Sequence, residues 1–267
     1  KNLLRQKSPE VAVWVDGAMP FRAETAGGYM QGLHYDFIGR LYEDYYGEQV
    51  ALSPVSIEPR FLYNQGFKSA YAIVPSVIAL MLLFIPSILA ALSVVREKEL
   101  GSITNLYVTP TSKFEFLLGK QIPYVAITMM NFLLLVLTAW LVFGVPVKGS
   151  FIALFIGAFL YAGCTTALGL FFSAFTGTQI AALAVTAIMT LLPAVQFSGL
   201  MQPVSTLEGV GAFIGRIYPT THFITVAKGA FAKDLDFAEL WPSLRALLIS
   251  WPIILTAGIF FLKKQEA

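Results

Sequence analysis

Four ionisable residues stand in a row at Arg96, Glu97, Lys98 and Glu99, opening a polar stretch over residues 94–120 that lies between long apolar runs. Neighbouring charges of both signs suit docking against another charged surface. The stretch closes on Gly119-Lys120, a pair that invites comparison with a phosphate-binding loop. Such a loop needs a glycine five residues earlier and Ser or Thr after the lysine, where this chain has Phe114 and Gln121, so that route to ATP is excluded. His34 and His222 are the only histidines, and no HExxH or nucleophile-elbow pattern is present, leaving metal-assisted hydrolysis and acyl transfer without residues to perform them. His222 reads as a hydrogen-bonding residue at a membrane interface. The single cysteine, Cys164, lies in an apolar run with no disulfide or thiolate partner and reads as a small packing residue.

The elements that must position these residues are largely set by composition. Of 267 residues, 57% are hydrophobic and 13% charged, where a soluble domain carries about a quarter charged residues, so the chain is an integral membrane protein. A net charge of +2 without clustered Lys and Arg argues against direct binding of nucleic acid.

Residues 1–68 have soluble character and read as a small, partial α/β domain. Alternation over residues 11–16 predicts a strand closing at Asp16-Gly17, and residues 49–58 predict a second strand interrupted by Pro54. Between them, Ala26, Met30, Leu33, Phe37 and Leu41 recur at helical spacing, which predicts an amphipathic helix over residues 22–48. Residues 69–267 form the membrane domain. Residues 70–95 carry no charge and, as a helix, would be about 39 Å long, more than the hydrocarbon core of about 30 Å. Further spans are expected over 121–143, 151–175, 179–200 and 243–262, making a mainly α, polytopic fold with five transmembrane helices. Small residues in the third span, among them Gly157, Gly163 and Gly169, predict close helix packing, and Asn131 and Gln196 are expected to bond between helices. Residues 201–241 are broken by Gly209, Gly211, Gly215 and Pro219, so short re-entrant or interfacial helices are expected there.

Arg96, Lys98, Lys113 and Lys120, with Lys263 and Lys264 after the last span, place the 94–120 segment and the C-terminus in the cytoplasm by the positive-inside rule. Five spans ending inside put residues 1–68 in the periplasm of a bacterial inner membrane protein. The N-terminal residues lack a starting methionine and signal-peptide order, so an earlier helix is expected to carry that domain across, six in the full permease.

Three motifs add a resemblance. Arg96-Glu97, Glu99, Gly101-Ser102, Leu106, Thr109-Pro110 and Leu117-Leu118-Gly119-Lys120 form the first, Tyr218-Pro219-Thr220-Thr221-His222-Phe223 with Ala227-Lys228-Gly229 the second, and Pro193 to Gly199 the third. Together the pattern resembles the permeases of the ABC type-2 exporter family, in particular the permease portion of the bacterial ribosome-associated ATPase and its unfused transport-permease relatives. The resemblance implies a dimer of permease protomers and an ATP-binding partner, fused or separate, that holds ATP and Mg; no cofactor is implied in this chain itself. Arg96, Glu97, Glu99, Gly101, Thr109, Pro110, Gly119 and Lys120 are then expected to belong to a coupling helix on the cytoplasmic surface. Tyr218, Pro219, His222 and Phe223 belong to the external segment.

The function this implies is ATP-driven export of a hydrophobic or amphiphilic substrate, with residues 1–68 available to a periplasmic adaptor. The alternative is a membrane anchor for ATPase domains that act on the ribosome, without transport. A passive channel and an intramembrane enzyme are weaker readings, the latter for want of paired catalytic residues.

Overall fold

A computed structural model of the chain describes residues 14–16, 20–46, 60–62, 69–101, 112–201 and 203–262. The chain divides into two compact units, Lys1–Ala72 and Ile73–Ala267.

In the first unit, strand β1 (Trp14–Asp16) pairs in parallel with β2 (Arg60–Leu62), Trp14 opposite Arg60, and helix α1 (Pro20–Tyr46) lies between them in sequence. The predicted strand over 11–16 is observed in its last three residues; the one expected over 49–58 lies outside the described residues. The predicted helix forms, but its apolar stripe does not bury: Met30, Leu33 and Phe37 are exposed and Ile38 is buried instead. Tyr29 and Tyr35, also exposed, extend the apolar character around the helix, so spacing alone could not identify its inner face.

The second unit is helical. After α2 (Ser69–Glu99) come α3 (Lys113–Leu141), α4 (Phe151–Ser173) and α5 (Gln179–Phe197); a 3-10 turn at Val204–Thr206 leads into α6 (Gly209–Ile217) and α7 (Pro219–Lys228). A π turn at Gly229–Lys233 then connects to α8 (Phe237–Phe261). Five of these, α2, α3, α4, α5 and α8, are long and apolar enough to cross a membrane.

Helix boundaries depart from the uncharged runs because capping outweighs hydropathy at the ends. Ser112 and Glu115 form a capping box that starts α3 eight residues before the expected span, and Asp236 with Glu239 does the same for α8, which begins at Phe237 rather than Ser243. Gly101, at φ +69°, supplies the left-handed conformation that ends α2.

Helix α4 is the centre of the bundle. Its most apolar stretch is 67% buried, against 22% in each of α3, α5 and α8. Small residues allow this. A Cβ on Gly169 would lie 2.0 Å from the Ser87 carbonyl oxygen of α2, and one on Gly163 would meet the Trp251 ring of α8 at 2.4 Å. Cys164 is fully buried, with Sγ 3.5 Å from the Leu247 carbonyl oxygen, in the packing role expected of it. The outward faces of α3, α5 and α8 present large apolar residues such as Leu134, Ile180 and Ile253, as a lipid-facing surface does.

Candidate functional site

Two parts of the bundle concentrate polar contacts: a charged end where α2 stops and α3 starts, and the re-entrant segment at the opposite end.

At the charged end, residues 94–99 are the last turns of α2 and residues 113–120 the first turns of α3. Both described ends of the coupling segment implied over 94–120 thus continue the neighbouring spans. The reason is local, since α2 has no Gly or Pro between Pro86 and Gly101 and the capping box commits the chain to helix from Lys113. Residues 102–111, including Thr109 and Pro110, lie outside the described residues.

The charges are used within the chain. Lys98 places its Nζ 2.8 Å from the Ser173 carbonyl oxygen and 3.3 Å from that of Thr176, at the C-terminal end of α4, where unpaired carbonyls and the helix dipole favour a cation. Glu99 accepts from the Gln179 backbone N–H at 2.9 Å and from its side-chain amide, at the N-terminal end of α5, where an anion is favoured. Successive residues of α2 thus hold the end of one helix and the start of the next. Glu97 pairs with Lys120 across α2 and α3, and Lys113 donates to the Leu262 carbonyl oxygen at the end of α8 at 2.6 Å. Arg96 and Gly119 are exposed. Sequence reading selected Glu97 and Glu99 as contacts for a partner, but missed that they bind Lys120 and Gln179. It also passed over Lys98 and Lys113. Glu99 and Gln179 are 80 residues apart, and no local pattern connects them.

At the opposite end, α6 crosses the end of α5: a Cβ on Gly215 would lie 2.7 Å from the Phe197 carbonyl oxygen. The chain turns at Tyr218, and Pro219 begins α7 at a position where its missing N–H costs nothing. Helix α7 is sunk between its neighbours. Near its start Thr220 meets Tyr161, ten residues into α4, and near its end the Ala230 carbonyl oxygen accepts from Lys148 and Gly149 just before α4 begins. The turn therefore dips about 15 Å along α4 before α7 returns. Backbone at that depth needs internal partners. The Tyr218 N–H donates to Ile214, its carbonyl accepts from Thr221, and His222 Nε2 lies 2.9 Å from the Arg216 carbonyl oxygen. A carbonyl oxygen can only accept, so the His222 ring donates through Nε2. Phe223 stacks on Tyr161, with centroids 4.4 Å apart and planes at 9°. Lys228, also buried, reaches the Gly199 carbonyl oxygen at 3.4 Å.

Between the two ends, Ile85, Pro86, Leu89, Tyr124, Ile127, Thr128 and Asn131 line an apolar cleft of about 240 Å³ between α2 and α3. Asn131 lines this cleft and Gln196 is exposed. The interhelical amide bond expected of them is made by Gln121 instead, which donates to the Gly163 carbonyl at 2.8 Å and to Thr166 Oγ1 at 3.0 Å. No group of three or more His, Cys, Asp or Glu able to hold a metal occurs among the described residues.

A family profile described as "ABC-2 family transporter protein" matches residues 1–260. This chain belongs to the ABC-2 transporter family. It is 28% identical over 83% of its length to the "Probable multidrug ABC transporter permease YbhS" of Escherichia coli K12, covering 58% of that protein. It is 26% identical over 99% of its length to the "Inner membrane transport permease YhhJ" of the same organism, covering 70% of it. A third relative, "ABC transporter G family member 20" of Dictyostelium discoideum, is 22% identical over 77% of the chain and 28% of its own length. The chain thus spans little more than half of the first of these relatives. No solved structure matches. These relatives are named as ABC transporters or transport permeases, and their names lend nothing to the ribosome-anchor alternative.

Proposed function

We propose that this ABC-2 chain is the membrane-spanning part of an ATP-driven exporter that works as a dimer and couples to a nucleotide-binding partner holding ATP and Mg. The observation that carries the reading, beside the family match, is the charged end. The polar segment joins α2 to α3 there, and α2 is tied by Lys98 and Glu99 to α4 and α5. A push on residues 94–120 by a partner closing on ATP would therefore move four helices together. ATP can shift the inward and outward states only through contacts that differ between them. Arg96, exposed and next to this network, is the side chain we assign to the partner; Glu97 and Glu99 act as internal struts.

The positive charges of this end favour a cytoplasmic location for it, with residues 1–68 then in the periplasm and open to an adaptor. The apolar α2–α3 cleft, with Asn131 as a polar group, suits a hydrophobic or amphiphilic substrate. The test is the complete protein with its nucleotide-binding partner, reconstituted in lipid vesicles and assayed for ATP-dependent efflux of amphiphilic dyes. Arg96→Glu should abolish efflux and dye-stimulated hydrolysis while the protein keeps its thermal midpoint. Efflux at the wild-type rate in that variant would sink the assignment of Arg96, and no ATP-dependent efflux of any amphiphile by the wild type would sink the exporter reading.

A further inference from the structure

The re-entrant helix α7 is joined to the rest of the bundle by a short chain of hydroxyl contacts. The Tyr161 phenol, fully buried on α4, lies 2.9 Å from Thr220 Oγ1 on α7 and 3.2 Å from the Ala79 carbonyl oxygen on α2. Two residues before Thr220, the Tyr218 phenol donates to the Thr190 carbonyl oxygen on α5 at 2.8 Å. Four elements meet through three side chains. A phenol has one proton to give and can accept another, so Tyr161 serves Ala79 and Thr220 together only if one bond is donated and the other accepted. Thr220 is also fully buried, and removing the Tyr161 hydroxyl would leave the Thr220 hydroxyl only the Tyr218 phenol as a side-chain partner away from water.

Helix α2 carries Pro86 between Ala79 and the charged end. A proline removes one backbone bond and leaves a point about which a helix bends. Movement of one half of α2 against the other changes the place of the Ala79 carbonyl relative to α4, which Gly169 holds against Ser87 beyond the proline.

We infer that Tyr161 is a positioning residue that latches α7 to α2, so that displacement of α2 frees the re-entrant segment. The latch rests on the transport reading for what displaces α2, but its contacts can be tested separately. The experiment is hydrogen exchange on the full protein with its nucleotide-binding partner in lipid nanodiscs, with and without a non-hydrolysable ATP analogue, alongside dye efflux in vesicles. Without nucleotide, Tyr161→Phe keeps the ring stack on Phe223 but should raise exchange over residues 218–228 about tenfold, the effect of losing one buried hydrogen bond. Thr220→Val should do the same and Thr220→Ser should restore protection. The analogue should raise exchange over 218–228 in the wild type and add nothing in Tyr161→Phe. A purely structural role would instead loosen α4 throughout, give no rescue by serine and leave the nucleotide response intact. That pattern, or unchanged exchange over 218–228 in Tyr161→Phe, overturns the latch. Efflux without the exchange change would reject the latch and keep the exporter; the exchange changes without efflux would keep the latch and reject the exporter.

Discussion

Gly169 and Gly163 show how far single atoms decide this packing. Adding one methyl at Gly169 puts carbon 2.0 Å from a backbone oxygen of α2, which no rotamer change can relieve, so α2 and α4 must separate. Gly169→Ala is expected to lower stability by about 1–3 kcal/mol, the usual range for overpacking. Gly177, which has nothing within 4 Å, gives the control: Gly177→Ala should leave the midpoint nearly unchanged. Thermal unfolding in detergent, followed by fluorescence, would compare them, and equal midpoints would contradict the close approach. At the same scale, the amide that bonds across helices is at Gln121, where it looks in sequence like the edge of a span. Asn131, which looks like the natural candidate in mid-span, lines a cleft instead. Which polar side chain turns inward depends on helix rotation.

The ends of the helices are where the charged residues act. Lys98 and Glu99 are matched in sign to the dipoles they face, a cation at the end of α4 and an anion at the start of α5. The partly exposed Lys98 contact is worth roughly 0.3–1 kcal/mol, too little to unfold the bundle but enough to fray one helix end. Lys98→Met is expected to increase amide exchange by a few-fold near residues 173–178, and Glu99→Gln near 179–182, with little change in α8. Exchange that is unaltered in both would mean that water replaces the side chains at no cost. The run Arg96 to Glu99 was legible as a functional cluster by its composition. That Glu97, Lys98 and Glu99 fasten other helices was not, because the partners lie 23 to 80 residues away.

For the molecule as a whole, the five spans and their short linkers impose an up-and-down bundle with its charged end on one side. The opposite end is not free of positive charge. By sequence, Arg96, Lys98, Lys113, Lys120, Lys263 and Lys264 belong to one side, but Lys148, Arg216, Lys228 and Lys233, with Arg245 in the first half of α8, belong to the other. Of these, Lys228 is buried against Gly199, which weakens its part in a rule that counts charge in loops. The expected topology is testable by cysteine labelling in intact cells with a membrane-impermeant maleimide, after Cys164→Ser removes the one thiol within these 267 residues. Lys148→Cys should be labelled from outside and Lys113→Cys only after the membrane is permeabilised; the reverse pattern would invert the orientation proposed above.

What the sequence alone determined is what depends on local chemistry. Long uncharged runs can satisfy their backbone in lipid only as helices, three-residue and seven-residue linkers force antiparallel neighbours, and glycines with Pro219 make residues 201–241 unable to form one more span. The motifs that resemble ABC-2 permeases were readable for the same reason, as residue types at fixed spacing. Only the tertiary structure decided that α4 is central, that Lys98 and Glu99 fasten α4 and α5, and that Tyr161 joins α2 to the re-entrant helix. Those outcomes rest on which faces of the helices turn together. In a bundle whose helices are apolar all round, periodicity does not mark an inner face, and the choice falls to close packing and to pairing of the few polar groups left inside.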